Sequence, residues 1–180
     1  MPRLFIAIDM SEEIRKHLAE LQFGLREARW TKYEQLHLTL RFIGDVSAEK
    51  QQDIESALGT VKAAPFDLRL NGLGRFPVRG EPRVLHAVIE DCPPLYDLQK
   101  SIEDALEQAG IERDRRRFVP HVTLARFKRT PTFAMLGRYL KTHEHFITSP
   151  MRVSEFVLYS SVLSPQGATH TPEAVYKLES

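Results

Sequence analysis

Two short stretches carry the residues best suited to chemistry. "LHLTLRF" runs from Leu36 to Phe42 and "HVTLARF" from His121 to Phe127. Each holds a histidine, one spacer, a threonine and a leucine. Histidine titrates near neutrality, so one imidazole can be neutral and act as a base while another is protonated and acts as an acid. Residues two apart in a strand share a face, which puts His37 beside Thr39 and His121 beside Thr123. In-line displacement at phosphorus uses such a set. One histidine deprotonates the nucleophile and the other protonates the leaving oxygen on the far side. Threonine hydroxyls donate to the non-bridging oxygens, where charge builds. The set calls for no metal and no other cofactor. A lone strand histidine is more often structural. Two copies opening apolar strands at equivalent points of a repeated pattern argue for one shared site. The residues alone leave open which histidine is the acid.

The elements around the motifs follow from periodicity. Strict alternation puts Arg41 on the His37 face and Leu36, Leu38, Leu40 and Phe42 on the packing face; in the second copy Val122, Leu124 and Arg126 fall opposite His121 and Thr123. "RLFIAID" (3–9) reads as a buried strand. A helix is expected at about 11–29, capped by Ser11, with Ile14, Leu18, Leu21 and Leu25 in phase. The first motif strand, a helix at about 47–63 and "FDLRLNGLGRF" follow, the last alternating until Gly72 and Gly74. After "PVRGEPR" the pattern restarts with a strand at 83–90 and a helix at about 94–109. The loop "ERDRRRF" and the second motif strand come next. A short helix is expected from Thr130 and Pro131, as N-cap and N1, to about Leu140. "HFIT", "RVSEFVLYSSVL" and "AVYKLE" read as closing strands. Arg3 lies 34 residues before His37, and Arg83 lies 38 before His121. The repeated order predicts an α+β fold of two pseudo-symmetric lobes, each a small, mostly antiparallel sheet covered by helices. The sequence halves, about 1–78 and 79–180, would form one bilobal domain with the motif faces meeting in a cleft.

Bulk properties narrow the partners. A net charge of +1 gives no chain-wide field for a polyanion, so nucleic-acid contact must come from local patches. One cysteine, Cys92, excludes an internal disulfide and a Cys-based zinc site. The N-terminal apolar run is too short for a signal peptide, and nothing approaches the roughly 18 apolar residues of a membrane span. The expectation is a cytoplasmic monomer with no membrane partner. Among lesser candidates, Arg113, Arg115, Arg116 and Arg117 precede the second motif; at a cleft mouth Arg115 and Arg117 could pair with RNA phosphates. Arg41 could reach a phosphate. Arg126 could join the His121 face only through a bulge or the strand end. Phe5 is expected in the core, with base stacking as the other reading. His86 is expected to pack in the core or the cleft wall. His17, His143, His145 and His170 have no motif context.

Paired H-x-T-x motifs in a bilobal α+β chain of this size resemble the two-histidine (2H) phosphoesterase superfamily. "RLFIAID", "LHLTLRFIGDV", "GLGRFPVRGEPRVL" and "HVTLARF", in that order, are similar to the RNA 2′,3′-cyclic phosphodiesterases once called 2′–5′ RNA ligases. The resemblance covers almost the whole chain. It implies hydrolysis of a terminal RNA 2′,3′-cyclic phosphate to a 2′-phosphate, with no metal. It assigns His37 as proton donor, His121 as proton acceptor, and Thr39 and Thr123 as phosphate ligands. It implies substrates that are RNA ends, such as tRNA fragments, or cyclic nucleotides. It also implies the formal reverse reaction, 2′–5′ joining to a 5′-hydroxyl. "WTKYEQLHLTL" lacks the prolines often seen before the first motif, which bears on loop shape alone. Two other readings stand beside it: a 2H enzyme acting on small cyclic nucleotides or ADP-ribose cyclic phosphate, and a non-catalytic RNA-binding protein using the same cleft.

Overall fold

A computed structural model describes residues 1–179. The chain forms β1 (Arg3–Asp9), α1 (Glu12–Ala19), β2 (Ala28–Trp30), β3 (His37–Asp45), α2 (Ala48–Leu58), β4 (Phe66–Leu68) and β5 (Leu70–Phe76). It continues with β6 (Val84–Ile89), α3 (Pro93–Gln108), β7 (His121–Phe127), α4 (Phe133–Thr142), β8 (Met151–Val153), β9 (Glu155–Ser164) and β10 (Gly167–Lys177). The expected α+β class holds, and several boundaries move. Ser11 caps α1 by accepting from the Ile14 N–H, but the helix stops at Ala19, not near residue 29. Leu21 and Leu25 are still buried. Their helical spacing is satisfied by turns through Gly24, whose φ of +86° no helix accepts. Thr132, two residues beyond the expected Thr130, caps α4. Of "HFIT", only Ile147 pairs, in one bridge to Asn71. β5 runs through Gly72 and Gly74 without stopping.

One sheet orders its strands β10-β9-β1-β3-β7-β6-β5, with β2 also on β7; β4 and β8 pair separately. All these pairings are antiparallel. The sheet is two four-stranded lobes, β10-β9-β1-β3 and β2-β7-β6-β5, joined between β3 and β7 by the single residue pair Leu38–Val122. Beyond that pair the motif strands part, and β2 takes the edge of β7 that β3 leaves. The lobes are therefore not the sequence halves. β2 and β5, from the first half, complete the second lobe, and β9 and β10, from the second half, complete the first.

One core runs under both lobes, with Ile6, Leu38, Ile54, Leu85, Leu98 and Val122 fully buried. Burying each such aliphatic side chain contributes about 1.5–3 kcal/mol. The helices also bridge the lobes. Lys50 of α2 donates from Nζ to the Ala109 carbonyl at the end of α3, at 2.9 Å. The Tyr139 hydroxyl of α4 donates to the Leu21 carbonyl beyond α1. Among the described residues no helix is long and apolar enough to cross a membrane.

Candidate active site

The single bridge between the lobes sets the site. In an antiparallel pair one step to either side of Leu38–Val122 places His37 opposite Thr123 and Thr39 opposite His121. Leu38 and Val122 are fully buried, while both histidines and both threonines stay half-buried on the other face. The alternation predicted this for all four residues.

It fails one residue later, in both strands. The β1–β3 register steps from Ala7–Thr39 to Ile6–Arg41, leaving Leu40 without a partner. The β6–β7 register steps likewise from His86–Thr123 to Leu85–Ala125, leaving Leu124 unpaired. The leucine of each H-x-T-L motif is thus the extra residue of a β-bulge, and the faces exchange beyond it. Leu40 and Arg41 are consecutively buried, as are Leu124 and Ala125. Phe42 and Arg126 turn outward onto the histidine face, where Phe42 is 48% exposed.

Two expectations are corrected by the bulge. Arg41 borders the cleft but turns its guanidinium into the core. It is 9% exposed, its Nη1 3.1 Å from Oε1 of Glu103 on α3, and its Nη2 donates to the Glu112 carbonyl at 2.7 Å. Its charge is spent in a buried pair that anchors the loop before the second motif. Phe42 is not a packing residue; with Phe76, Phe118 and Arg117 it lines a cleft of about 330 Å³ that reaches Thr39 and His121. Arg126, by contrast, does reach the His121 side.

The rest of the arginine run is mostly neutralised locally. Arg113 pairs with Asp104 and Glu107, Arg115 with Glu112, and Arg116 with Asp114. Arg115 does not line the cleft; Arg116 and Arg117 do. Phe5 is 4% exposed, so a base cannot stack on it. Its ring lies between His37 and Tyr159, stacked at 5.2 Å from each, and braces the imidazole.

Both motif histidines are held alike. His37 Nδ1 lies 2.6 Å from the Gln35 carbonyl and His121 Nδ1 lies 2.8 Å from that of Val119. A carbonyl only accepts, so each Nδ1 carries the proton and each Nε2 is left for the cleft. His37 Nε2 is 3.1 Å from the Thr39 hydroxyl. Burial lowers the His37 pKa to about 4; His170 and Arg15 add to this, while the Gln35 carbonyl and the Asp9 carboxylate oppose it. Burial also lowers that of His121, opposed by the Val119 carbonyl and reinforced by the Arg126 charge.

Several neighbours escaped the sequence reading. His170 of β10 lies with its ring 5.8 Å from that of His37. Asp9 pairs with His37 across β1–β3 and accepts from the Tyr159 hydroxyl at 2.7 Å. His86, by contrast, is expected in the core or the cleft wall; it is buried, stacks on Phe76 at 4.1 Å and lies 5.2 Å from His121. It rests over Gly74, where a Cβ would come 2.8 Å from its Cε1, so a side chain there would displace the ring. Asp9 was within reach of alternation along β1; nothing local marks His170.

Two histidines and two threonines converging across a pseudo-twofold strand pair define a two-histidine phosphoesterase. Residues 9–164 match the 2′-5′ RNA ligase superfamily. The chain is 32% identical to an RNA 2′,3′-cyclic phosphodiesterase of Methanothermobacter thermautotrophicus, covering 98% of each chain. It is 34% identical to one of Archaeoglobus fulgidus, over 97% of this chain and 99% of the relative. A crystal structure from Thermus thermophilus superimposes with a TM-score of 0.81 at 31% identity, over 98% of this chain and 97% of that one. E. coli LigT complexed with 3′-AMP superimposes with a TM-score of 0.79 at 27% identity, over all of both chains. The chain belongs to the 2′-5′ RNA ligase superfamily.

Proposed function

We propose that this protein hydrolyses terminal 2′,3′-cyclic phosphates of RNA to 2′-phosphomonoesters by acid–base catalysis between His37 and His121. The observation that carries this reading is the placement of both His-x-Thr pairs on one face across the Leu38–Val122 bridge. Water attacks phosphorus as His121 Nε2 takes its proton. The bond from phosphorus to the 3′-oxygen breaks in line, and His37 Nε2 gives that oxygen a proton. The Thr39 and Thr123 hydroxyls donate to the non-bridging oxygens. Asp9 supports the cationic form of His37 and Arg126 the neutral form of His121, against a burial that lowers the His37 pKa to about 4. The bound phosphate anion raises the proton affinity of His37 against its burial.

The test is hydrolysis of adenosine 2′,3′-cyclic phosphate in EDTA, with the product regioisomer identified. His37→Ala and His121→Ala should each lose about 10²–10⁴-fold in rate, the usual worth of a general acid or base. Full activity in either variant sinks the two-histidine mechanism. RNA binding that is tight, salt-dependent and unaffected by both variants, with no turnover in the wild type, would support a purely binding role instead.

A further inference from the structure

β6 lies beside β7 as β1 lies beside β3, and the two strands set different residues against the motifs. Ala7 and Asp9 of β1 stand opposite Thr39 and His37. His86 and Val88 of β6 stand opposite Thr123 and His121. The proton donor therefore has a carboxylate across its strand pair, while the proton acceptor has an isopropyl group and a second imidazole. Residues directly opposite in an antiparallel pair project to the same side, so His86 rises on the side of the sheet that carries His121 and Thr123. There it is buried, at 6% exposure. Its ring stacks on Phe76, the rings of Phe76 and His121 meet edge-on at 4.9 Å, and His86 closes the triangle against His121. Phe76 and His121 line the cleft, and His86 does not.

The floor under His86 is Gly74, its partner across β5–β6. A Cβ there would come 2.8 Å from Cε1 and 3.1 Å from Nε2 of the ring. The φ of Gly74 is not positive, so the close approach of the ring, not backbone freedom, is what calls for glycine. Burial pushes the His86 pKa down to about 4, reinforced by His121 and opposed by the backbone of Ala87 and Arg75. The ring is therefore neutral near pH 7 and packs on His121 without adding a cation. Its Nδ1 is buried with no hydrogen-bond partner, so hydrogen bonding at that atom does not explain its place. The charges around His121 are few: His37 across β3, Arg126 on its own strand, and Asp114, Arg116 and Arg117 along the cleft. Asp114 is paired with Arg116, and Arg75 of β5 donates to the Val78 and Gly80 carbonyls. Among the described residues no carboxylate lies within ion-pairing distance of His121. Burial is thus the main control on its proton.

We propose that His86 is the positioning residue of the proton acceptor: with Phe76 it wedges the His121 imidazole into line with the phosphate and keeps water from that side of the ring. This rests on the functional reading above and extends it to how the acceptor is held. The Val119 carbonyl fixes only the Nδ1 edge of His121 and leaves the ring free to swing about that bond. The His86 ring stops the swing. In the first lobe Phe5 does this for His37, and the residue opposite Thr39 is only Ala7. A misplacement of about 1 Å at a reacting group can cost about 10²-fold in rate.

The test follows hydrolysis of adenosine 2′,3′-cyclic phosphate against pH in His86→Ala, Gly74→Ala and the double variant, with folding checked by urea titration. His86→Ala should lower kcat about 10-fold or more and leave KM nearly unchanged, as lost alignment does. It should also move the alkaline limb of kcat/KM, set by His121, to higher pH, because burial holds that pKa down and removing the ring admits water. A residue that only fills the fold would lower stability and leave the limb in place. Gly74 does not line the cleft, yet Gly74→Ala should lower kcat by displacing His86. In the His86→Ala background the same change should cost almost nothing, because the ring it meets is gone. Equal costs of Gly74→Ala in both backgrounds, or an unmoved limb in His86→Ala, overturns the proposal. Should His86→Ala not fold, Gly74→Ala decides alone: a lowered kcat supports the wedge and an unchanged one overturns it. If the wild type hydrolyses no cyclic phosphate, the functional reading fails instead. The wedge is then judged by NMR titration of the His121 ring proton: a midpoint raised in His86→Ala supports it, and an unmoved midpoint overturns it.

Discussion

Asp9 and His37 face each other across β1–β3, and the Tyr159 hydroxyl hydrogen-bonds both oxygens of that carboxylate, at 2.7 and 2.8 Å. The pair decides how the proposed acid keeps its proton. In the free protein burial depresses both motif histidines, His37 to about 4. The active form has His37 protonated and His121 neutral, so kcat/KM, which reports the free protein, should peak below the ordinary imidazole value of about 6.5. It should fall as rising pH strips the proton from His37. In the complex the phosphate anion raises both values, so the kcat profile should sit at higher pH. Asp9→Asn removes the negative charge that supports the imidazolium. Because His37 is the more strongly depressed of the two histidines, Asp9→Asn should move the acid limb of kcat/KM further toward acid and lower the peak, while the alkaline limb, set by His121, stays. Rates measured from pH 4 to 9 check this. A loss of activity with unmoved limbs would reduce Asp9 to a structural role.

At the scale of elements, the loop between α3 and β7 is held by Arg41 and Glu103. The guanidinium binds the Glu112 carbonyl, and Glu103 accepts from the Asp114 N–H at 3.4 Å. The same loop carries Arg117, Phe118 and Val119, whose carbonyl orients His121. Removing one partner strands the other charge in the core, at about 3–5 kcal/mol. Arg41→Ala should therefore lower the unfolding free energy by that amount in urea titrations and also lower kcat through a loosened His121. Arg41→Met combined with Glu103→Leu should cost much less stability than either single change to alanine, because no charge is left unpaired. Equal losses in single and double variants would argue against the buried pair. None of this was legible in the sequence, because a bulge does not announce itself: Arg41 is in phase with His37 and Thr39 by every count of two. The same counting placed all four motif residues and the strands that carry them. It overran α1, where Leu21 and Leu25 keep helical phase but pack through turns. It missed β2, since three residues offer no alternation to read. His170 lies beyond local pattern altogether; only the pairing of β10 with β9, and of β9 with β1, brings it to His37.

For the whole molecule, the strand exchange between lobes decides how it holds together. A chain cut after residue 78 leaves β1 without β9 on one edge and β3 without β7 on the other, while β2 has no strand to join. The remainder, 79–180, keeps β6 and β7 but lacks β5 and β2, and its β9–β10 hairpin has no β1 to rest on. Isolated hairpins of that kind are marginal in water. The cut itself is benign, because residues 78–81 are exposed. Each fragment alone should show no cooperative thermal transition. Mixed, the two should assemble, because every missing strand is on the partner and one core spans both. The mixture should regain a single transition and the cyclic-phosphate hydrolysis, with His37 arriving on one fragment and His121 on the other. Calorimetry and the adenosine 2′,3′-cyclic phosphate assay read this directly. A fragment that melts cooperatively by itself would make the lobes autonomous, and the exchange of β2 and β5 against β9 and β10 would then be incidental to the fold.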